Sequence, residues 1–120
     1  MMKTQETPQI SGAFCPVFHR AIELIGRRWT GAIVRALLAG ATRFGELTEI
    51  IPELSDRMLS ERLKELETEG IVTRTVIPET PVKIEYHLTD KGRALGPVLD
   101  AIGTWAGDWV GPHGTPPEHR

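Results

Sequence analysis

Apolar positions along the 120-residue chain follow a helical period in five stretches, and a two-residue period in one pair of short runs. In the first stretch, Phe18, Ile22 and Ile25 mark one face and Val17, Ala21 and Leu24 another. A helix is expected there from Pro16 to about Ile25, because proline favours an opening turn and Gly26 suits the end. A helix apolar on two sides needs two partners, and another subunit is one candidate. The second stretch, Thr30 to Ala39, is apolar nearly all round with only Arg35 charged, so it is expected at the centre of the core, ended by Gly40. A short third helix is expected in TRFGELTEII, where Phe44, Leu47 and Ile50 keep helical spacing and Pro52 closes the run.

The fourth stretch reads LSDRMLSERLKELETEG, residues 54–70. Ser55 is a good N-cap, and Asp56 lies in the first turn, where the helix dipole favours a carboxylate. Leu59, Leu63 and Leu66 make the stripe to be buried, and Gly70 stops the helix. The period then changes to two. Ile71–Ile77 and Lys83–Leu88 read as strands of a hairpin whose tip is PETPV. Thr89 caps a last helix from about Asp90 to Val110. Its apolar residues Leu95, Val98, Leu99, Ile102, Trp105, Ala106 and Trp109 fall in one stripe of about 120°. Gly96-Pro97 predicts a kink inside it and not a stop, since the stripe continues in phase.

Helices three and four, joined by a short turn around Pro52, form a helix-turn-helix arrangement. The hairpin stands where a wing would be. The fold class expected is therefore mainly α with a small β-hairpin wing, a winged helix-turn-helix over residues 13–110. Residues 1–12 are expected to be a loose, flexible arm, and 111–120, with three prolines, a frayed and disordered tail.

Composition narrows the function. A net charge of −2 excludes a polybasic binder, so any nucleic-acid contact must come from local sorting of charge. No apolar run approaches a transmembrane span, and MMKTQETPQISGAF lacks the features of a signal peptide. A single cysteine, Cys15, rules out an internal disulfide and suits a reducing compartment. A soluble cytoplasmic protein is expected. His19, His87, His113 and His119 show no zinc-type spacing, so neither metal nor cofactor is expected.

The fourth helix carries more carboxylates than bases, an unfavourable total for meeting DNA. Position changes that picture. With Leu59 at 0°, Ser60 lies at about 100°, Lys64 at about 140°, Arg57 at about 160° and Glu61 at about 200°, all opposite the leucines. Residues 55–64 carry a net +1, and Glu65, Glu67 and Glu69 then make the remainder −3. Recognition helices lead with their N-terminal half, so the acidic end can lie outside the groove. Arg57 and Lys64 suit guanine edges or phosphates, Ser60 either, and Glu61 can accept from cytosine N4. Arg43 at the start of helix three, Arg74 and Lys83 on the hairpin, and Arg27 and Arg28 before helix two are candidate phosphate contacts. For Arg43 the helix N-terminus is expected to help.

CPVFHRAIELIGRRWTGAIVRALLAGATRFGEL, SDRMLSERLKELETEGIVTR and KIEYHLTDKGRAL together resemble the HxlR family of bacterial transcriptional regulators, a branch of the MarR-like winged helices. The likeness covers roughly Cys15 to Val110. It implies a homodimer joined through the first and last helices on a two-fold symmetric double-stranded DNA operator. Phe14, Val17 and Phe18 from one end, and Leu95, Val98, Leu99, Ile102, Trp105 and Trp109 from the other, are then expected at the interface. Ser55, Arg57, Ser60, Glu61 and Lys64 are expected to face the groove, with Met58 among the DNA-binding set. Arg27-Arg28 departs from the Gly-Lys that the family often has, and Arg27 loses a glycine's backbone freedom.

Some members of that family sense oxidants or electrophiles through a cysteine just before the first helix, which is where Cys15 stands. The amides of a helix N-terminus favour negative charge, and Arg20 lies one turn on. The other reading of Cys15, between Phe14 and Pro16, is a small buried hydrophobe. Trp105 and Trp109 are core or interface aromatics, or walls of a small-ligand cavity between subunits. Two rival classes stand beside the regulator. One is a winged-helix module that binds protein without sequence-specific DNA binding. The other is a thiol enzyme, disfavoured because no His or Asp arrangement activates Cys15 and no resolving cysteine exists.

Overall fold

The computed structural model describes residues 13–111, so the arm expected at 1–12 and the tail beyond Gly111 lie outside the described residues. In chain order the elements are α1 (Pro16–Ile25), α2 (Thr30–Leu38), α3 (Phe44–Ile50), α4 (Asp56–Thr68), β1 (Val72–Ile77), β2 (Lys83–Leu88), α5 (Asp90–Arg93) and α6 (Leu95–Trp109). The two strands pair antiparallel, with Arg74 opposite Tyr86 and Val76 opposite Ile84. A mainly helical body with one hairpin after the helix-turn-helix is a winged helix-turn-helix.

α2 sits at the centre, with Thr30, Ile33, Val34, Ala36 and Leu37 buried. Leu59, Leu63 and Leu66 of α4 are buried beside them, as the leucine spacing predicts. Losing any one of these side chains removes both transfer free energy and packing, about 2–5 kcal/mol. The turn between α3 and α4 is tight and apolar, because Ile51 and Leu54 fold into the core. Ile50, expected there from its spacing, is 55% exposed instead. One helical residue lies 100° from the next, and the approach of the neighbouring helix decides which isoleucine it covers.

The C-terminal end of α4 is fastened. Gly70 takes φ 77°, the left-handed conformation that lets the chain reverse after a helix. Ile71 N–H then donates to the Leu66 carbonyl at 2.9 Å. Thr89 Oγ1 donates to the Gly70 carbonyl at 2.6 Å, and Lys91 Nζ to the Glu69 carbonyl at 2.6 Å. A cation on the last carbonyls suits the negative end of the helix dipole. The hairpin is fastened as well: Tyr86 N–H donates to the Thr42 carbonyl at 2.8 Å, tying β2 to the entrance of α3. A Cβ on Gly92 would fall on the Ile71 carbonyl oxygen, so α5 approaches the start of β1 as closely as only glycine allows.

The last helical stretch differs from the single kinked helix expected. It breaks at Ala94 into α5 and α6, three residues before Pro97. Proline offers no N–H to the carbonyl four residues back, and its ring crowds that carbonyl, which belongs to Arg93. The expected stripe on α6 is also divided. Leu99 is buried in the chain's own core and Leu95 packs against it, whereas Val98, Ile102, Trp105 and Trp109 are exposed. No described helix is long and apolar enough to cross a membrane.

Candidate nucleic-acid interface

α4 owes its leading end to Ser55, whose Oγ accepts the Met58 N–H at 3.1 Å. That acceptor is committed to the cap, and the hydroxyl keeps its own proton to donate outward. Both ends of α4 are thus anchored, the leading one by this cap and by Leu54 and Leu59 in the core. Arg57 has a side chain 89% exposed, and its Nε lies 3.5 Å from Glu61 Oε2. Ser60, Glu61 and Lys64 are exposed on the same side. Met58 departs from the expectation. It is half-buried and packs against the core, unlike the exposed Arg57, Ser60, Glu61 and Lys64.

The hairpin supplies the facing wall. Ser60, Leu63, Lys64, Glu67, Arg74 and Tyr86 line an open cleft of about 460 Å³ between α4 and the sheet. Two cations from different elements therefore converge on one concavity, with a hydroxyl beside them. Among the described residues no carboxylate lies within ion-pairing distance of Lys64 or Arg74. The acidic end of α4 is only partly withdrawn. Glu65 turns to Arg62 and Arg27, but Glu67 stays on the cleft wall.

The remaining cations are placed less uniformly. Lys83 opens β2 and its Nζ reaches Glu79 at 3.8 Å, on the hairpin face opposite to Arg74. The guanidinium of Arg28 lies over the Trp29 ring, 5.1 Å from its centroid. Arg43 precedes α3, but the helix entrance already holds a carboxylate. Glu46 Oε1 accepts the Thr42 and Arg43 N–H groups at 2.8 and 3.0 Å. Those bonds, the Thr42 one first, hold the Glu46 carboxyl below its ordinary range. The expected phosphate contact at that N-terminus therefore meets a resident negative charge.

Cys15 is exposed in the single chain, so it is not part of that chain's own core. It is the N-cap of α1, and its Sγ accepts the Phe18 N–H at 3.4 Å. Around it the surface is apolar: Phe14, Val17 and Phe18 are 63%, 71% and 65% exposed, and no residue of α1 is buried. Among the described residues no group of three or more His, Cys, Asp or Glu side chains gathers to hold a metal.

Sequence reasoning missed Arg62. Its Nε donates to the Arg28 carbonyl at 2.8 Å and its Nη1 to both oxygens of Glu65. The only local signal is its place, about 60° from Leu59 on the flank of the leucine stripe.

Comparison with known proteins supports the regulator reading. The family described as HxlR-like helix-turn-helix matches residues 24–114. The chain is 56% identical over 98 residues to YvaP of Bacillus subtilis (strain 168), an uncharacterised HTH-type transcriptional regulator, covering 82% of this chain and 91% of that one. It is 47% identical over 106 residues to the HTH-type transcriptional regulator YodB of the same organism, covering 88% and 95%. The reduced form of YodB superposes with a TM-score of 0.74 at 49% identity, over 82% of this chain and 97% of that one. YodB is also solved diamide-treated and quinone-bound, with TM-scores of 0.70 and 0.69. The redox regulator HypR in its reduced form matches with a TM-score of 0.72 at 37% identity, over 78% of this chain and 92% of that one. The chain belongs to the HxlR-like helix-turn-helix family and is a transcriptional regulator of the helix-turn-helix type.

Proposed function

We propose that the chain reads a two-fold symmetric double-stranded DNA operator as a homodimer, with α4 in the major groove and the hairpin on the flanking backbone. The observation that carries this is the convergence of Lys64 and Arg74, with Ser60, on one cleft between α4 and the hairpin. Phosphate contacts from Arg74, Lys83, Arg43 and Arg28 supply affinity, and Arg57, Ser60, Glu61 and Lys64 supply sequence. The apolar surface left open by α1 and α6 is the dimer interface, which places the two recognition helices ~34 Å apart or a multiple of it.

Selection of duplexes from a random pool tests this reading. The expected result is an enriched palindrome whose affinity falls steeply with salt, as release of phosphate counterions requires. Recovery of no common sequence, or salt-independent binding, rejects it in favour of a protein-binding module.

We further infer that Cys15 is the signal input, for oxidants or electrophiles. Its exposure supports this, as does the likeness to YodB, solved after diamide and with quinone, and to the redox regulator HypR. With one cysteine in the chain, diamide takes two electrons and two protons from the thiols of two chains and leaves a disulfide between them. Operator affinity before and after diamide is expected to change in wild type and not in Cys15→Ser. An identical change in both removes Cys15 from the mechanism.

A further inference from the structure

The turn between α1 and α2 holds a residue in a conformation it does not choose for itself. Trp29 has φ 75°, in the left-handed region that bulky side chains rarely occupy. Such a residue persists only where its surroundings over-determine it. Here the peptide entering Trp29 is gripped from the recognition helix, through the Arg62 Nε bond to the Arg28 carbonyl at 2.8 Å.

The grip is a closed network. The Arg62 side chain is only 11% exposed, and its Nη1 donates to the two Glu65 oxygens at 3.3 and 3.2 Å. Arg27 Nη1 approaches Glu65 Oε2 at 3.5 Å from the turn. Two residues of α4 thus hold two residues of the turn. Arg62 lies about 160° and Glu65 about 140° from Ser60 around α4.

What the turn controls is the direction of α1. That helix has no buried residue, and only Leu24 and Ile25, at its C-terminal end, pack on the core. Its bearing on the rest of the protomer therefore depends heavily on the dihedral angles at Trp29. The same helix carries Cys15 and the exposed Val17 and Phe18.

We propose that Arg62 is a positioning residue that holds Trp29 left-handed and so sets the angle between α1 and α4. The inference rests on the homodimeric, groove-reading function above, in which that angle sets the separation of the two recognition helices. A change at α1 that draws the Arg28 carbonyl away from Arg62 lets Trp29 relax, and the two α4 helices leave operator register. Arg62 acts in this without touching DNA.

The test uses the full chain and the duplex selected by wild type, together with derivatives carrying one or two base pairs inserted or removed between half-sites. Wild type is expected to prefer the native spacing. Arg62→Met is expected to lose about tenfold on the native-spaced duplex, with less than about a twofold change on the respaced ones. Arg62→Lys, which keeps a cationic donor one atom further along the side chain, is expected to recover part of the preference. An equal loss at every spacing, or an unchanged profile, overturns the proposal, since a merely structural residue moves all spacings together.

If Arg62→Met does not fold, Glu65→Gln decides by the same criterion. Amide exchange gives a second readout that needs no DNA. The Thr30 N–H, which donates to the Arg27 carbonyl at 3.0 Å, is expected to exchange faster in Arg62→Met while that of Leu63 in α4 does not. Unchanged exchange at Thr30 also counts against the clamp. A wild type with no spacing preference refutes the dimeric reading and this inference with it. A wild type that keeps the preference beside variants that keep it too refutes the clamp alone.

Discussion

Arg57 and Glu61 face each other one turn apart on the leading half of α4, with Nε and Oε2 separated by 3.5 Å. Both are open to solvent, so their attraction is screened and contributes little to stability. The pair is nonetheless informative about reading. An exposed contact of this kind is given up at small cost when a base edge or phosphate takes its place. Arg57→Ala is accordingly expected to leave the unfolding free energy within about 0.5 kcal/mol of wild type. It is expected to reduce discrimination between selected and scrambled duplex by about 1–3 kcal/mol, the worth of a bidentate base contact. Anisotropy titrations with both duplexes measure this, and equal discrimination by variant and wild type rejects a base-reading role.

Lys83 is expected to behave differently, as a phosphate contact on the hairpin. Lys83→Ala should weaken selected and scrambled duplexes by the same factor, and lower the magnitude of the logarithmic salt slope by about 1. Titrations across a series of salt concentrations read both quantities. A sequence-selective loss would move Lys83 among the base readers.

The two isoleucines that end α3, together with the leucine stripe, offer a packing test. Leu63→Ala empties a fully enclosed position and is expected to cost about 2–5 kcal/mol. Ile50→Ala, at a position 55% exposed, is expected to stay within about 0.5 kcal/mol. Urea unfolding of both variants checks the contrast. A large cost at Ile50 would place it at an interface.

That possibility is sharper for the open face of α1 and α6. Trp105 and Trp109 are 60% and 65% exposed in the single chain, beside exposed Val98 and Ile102. A contiguous apolar surface of this kind marks an interaction site. Trp105→Glu is expected to shift the protein from dimer to monomer in sedimentation, and to abolish tight operator binding while each protomer stays folded. A dimer of unchanged strength would put the interface elsewhere.

Glu46 gives a pH dependence whose direction follows from its surroundings. Its carboxylate is favoured in the folded state by the Thr42 and Arg43 N–H groups, so its folded pKa lies below the unfolded one. The stability it contributes is fully present above the unfolded pKa and is lost as pH falls through the folded pKa. Glu46→Gln is expected to flatten the acid limb of the stability curve between those two values. Denaturant midpoints measured from neutral to acid pH test this, and parallel curves for both proteins reject it.

Much of the site was legible because its signals are local. Ser55 and Thr89 were recognisable as caps from the run that follows each, and both accept the N–H three residues on. The leucines of α4 and the extent of β2 followed from period alone, since the period of a side-chain pattern is a property of one element. The cluster of Arg57, Ser60, Glu61 and Lys64 on one face is likewise a property of one helix.

What period cannot report is the direction from which a neighbour arrives. Burial therefore went to Ile51 in place of Ile50, Met58 packs half-buried against the core, and the apolar stripe of α6 split between core and surface. Contacts that bridge distant parts of the chain were equally hidden. Arg62 meets a carbonyl 34 residues away, and Arg74 meets Lys64 across a cleft that exists only once the hairpin folds back on α4. The left-handed Trp29 had no signal at all, because neither its side chain nor its neighbours favour that conformation and only the assembled turn imposes it. The sequence by itself determined the order of the elements, all but the break at Ala94, and the polar face of α4. Tertiary structure decided which charges meet in the cleft and what holds α4 against α1, because both depend on distances between elements that no single element encodes.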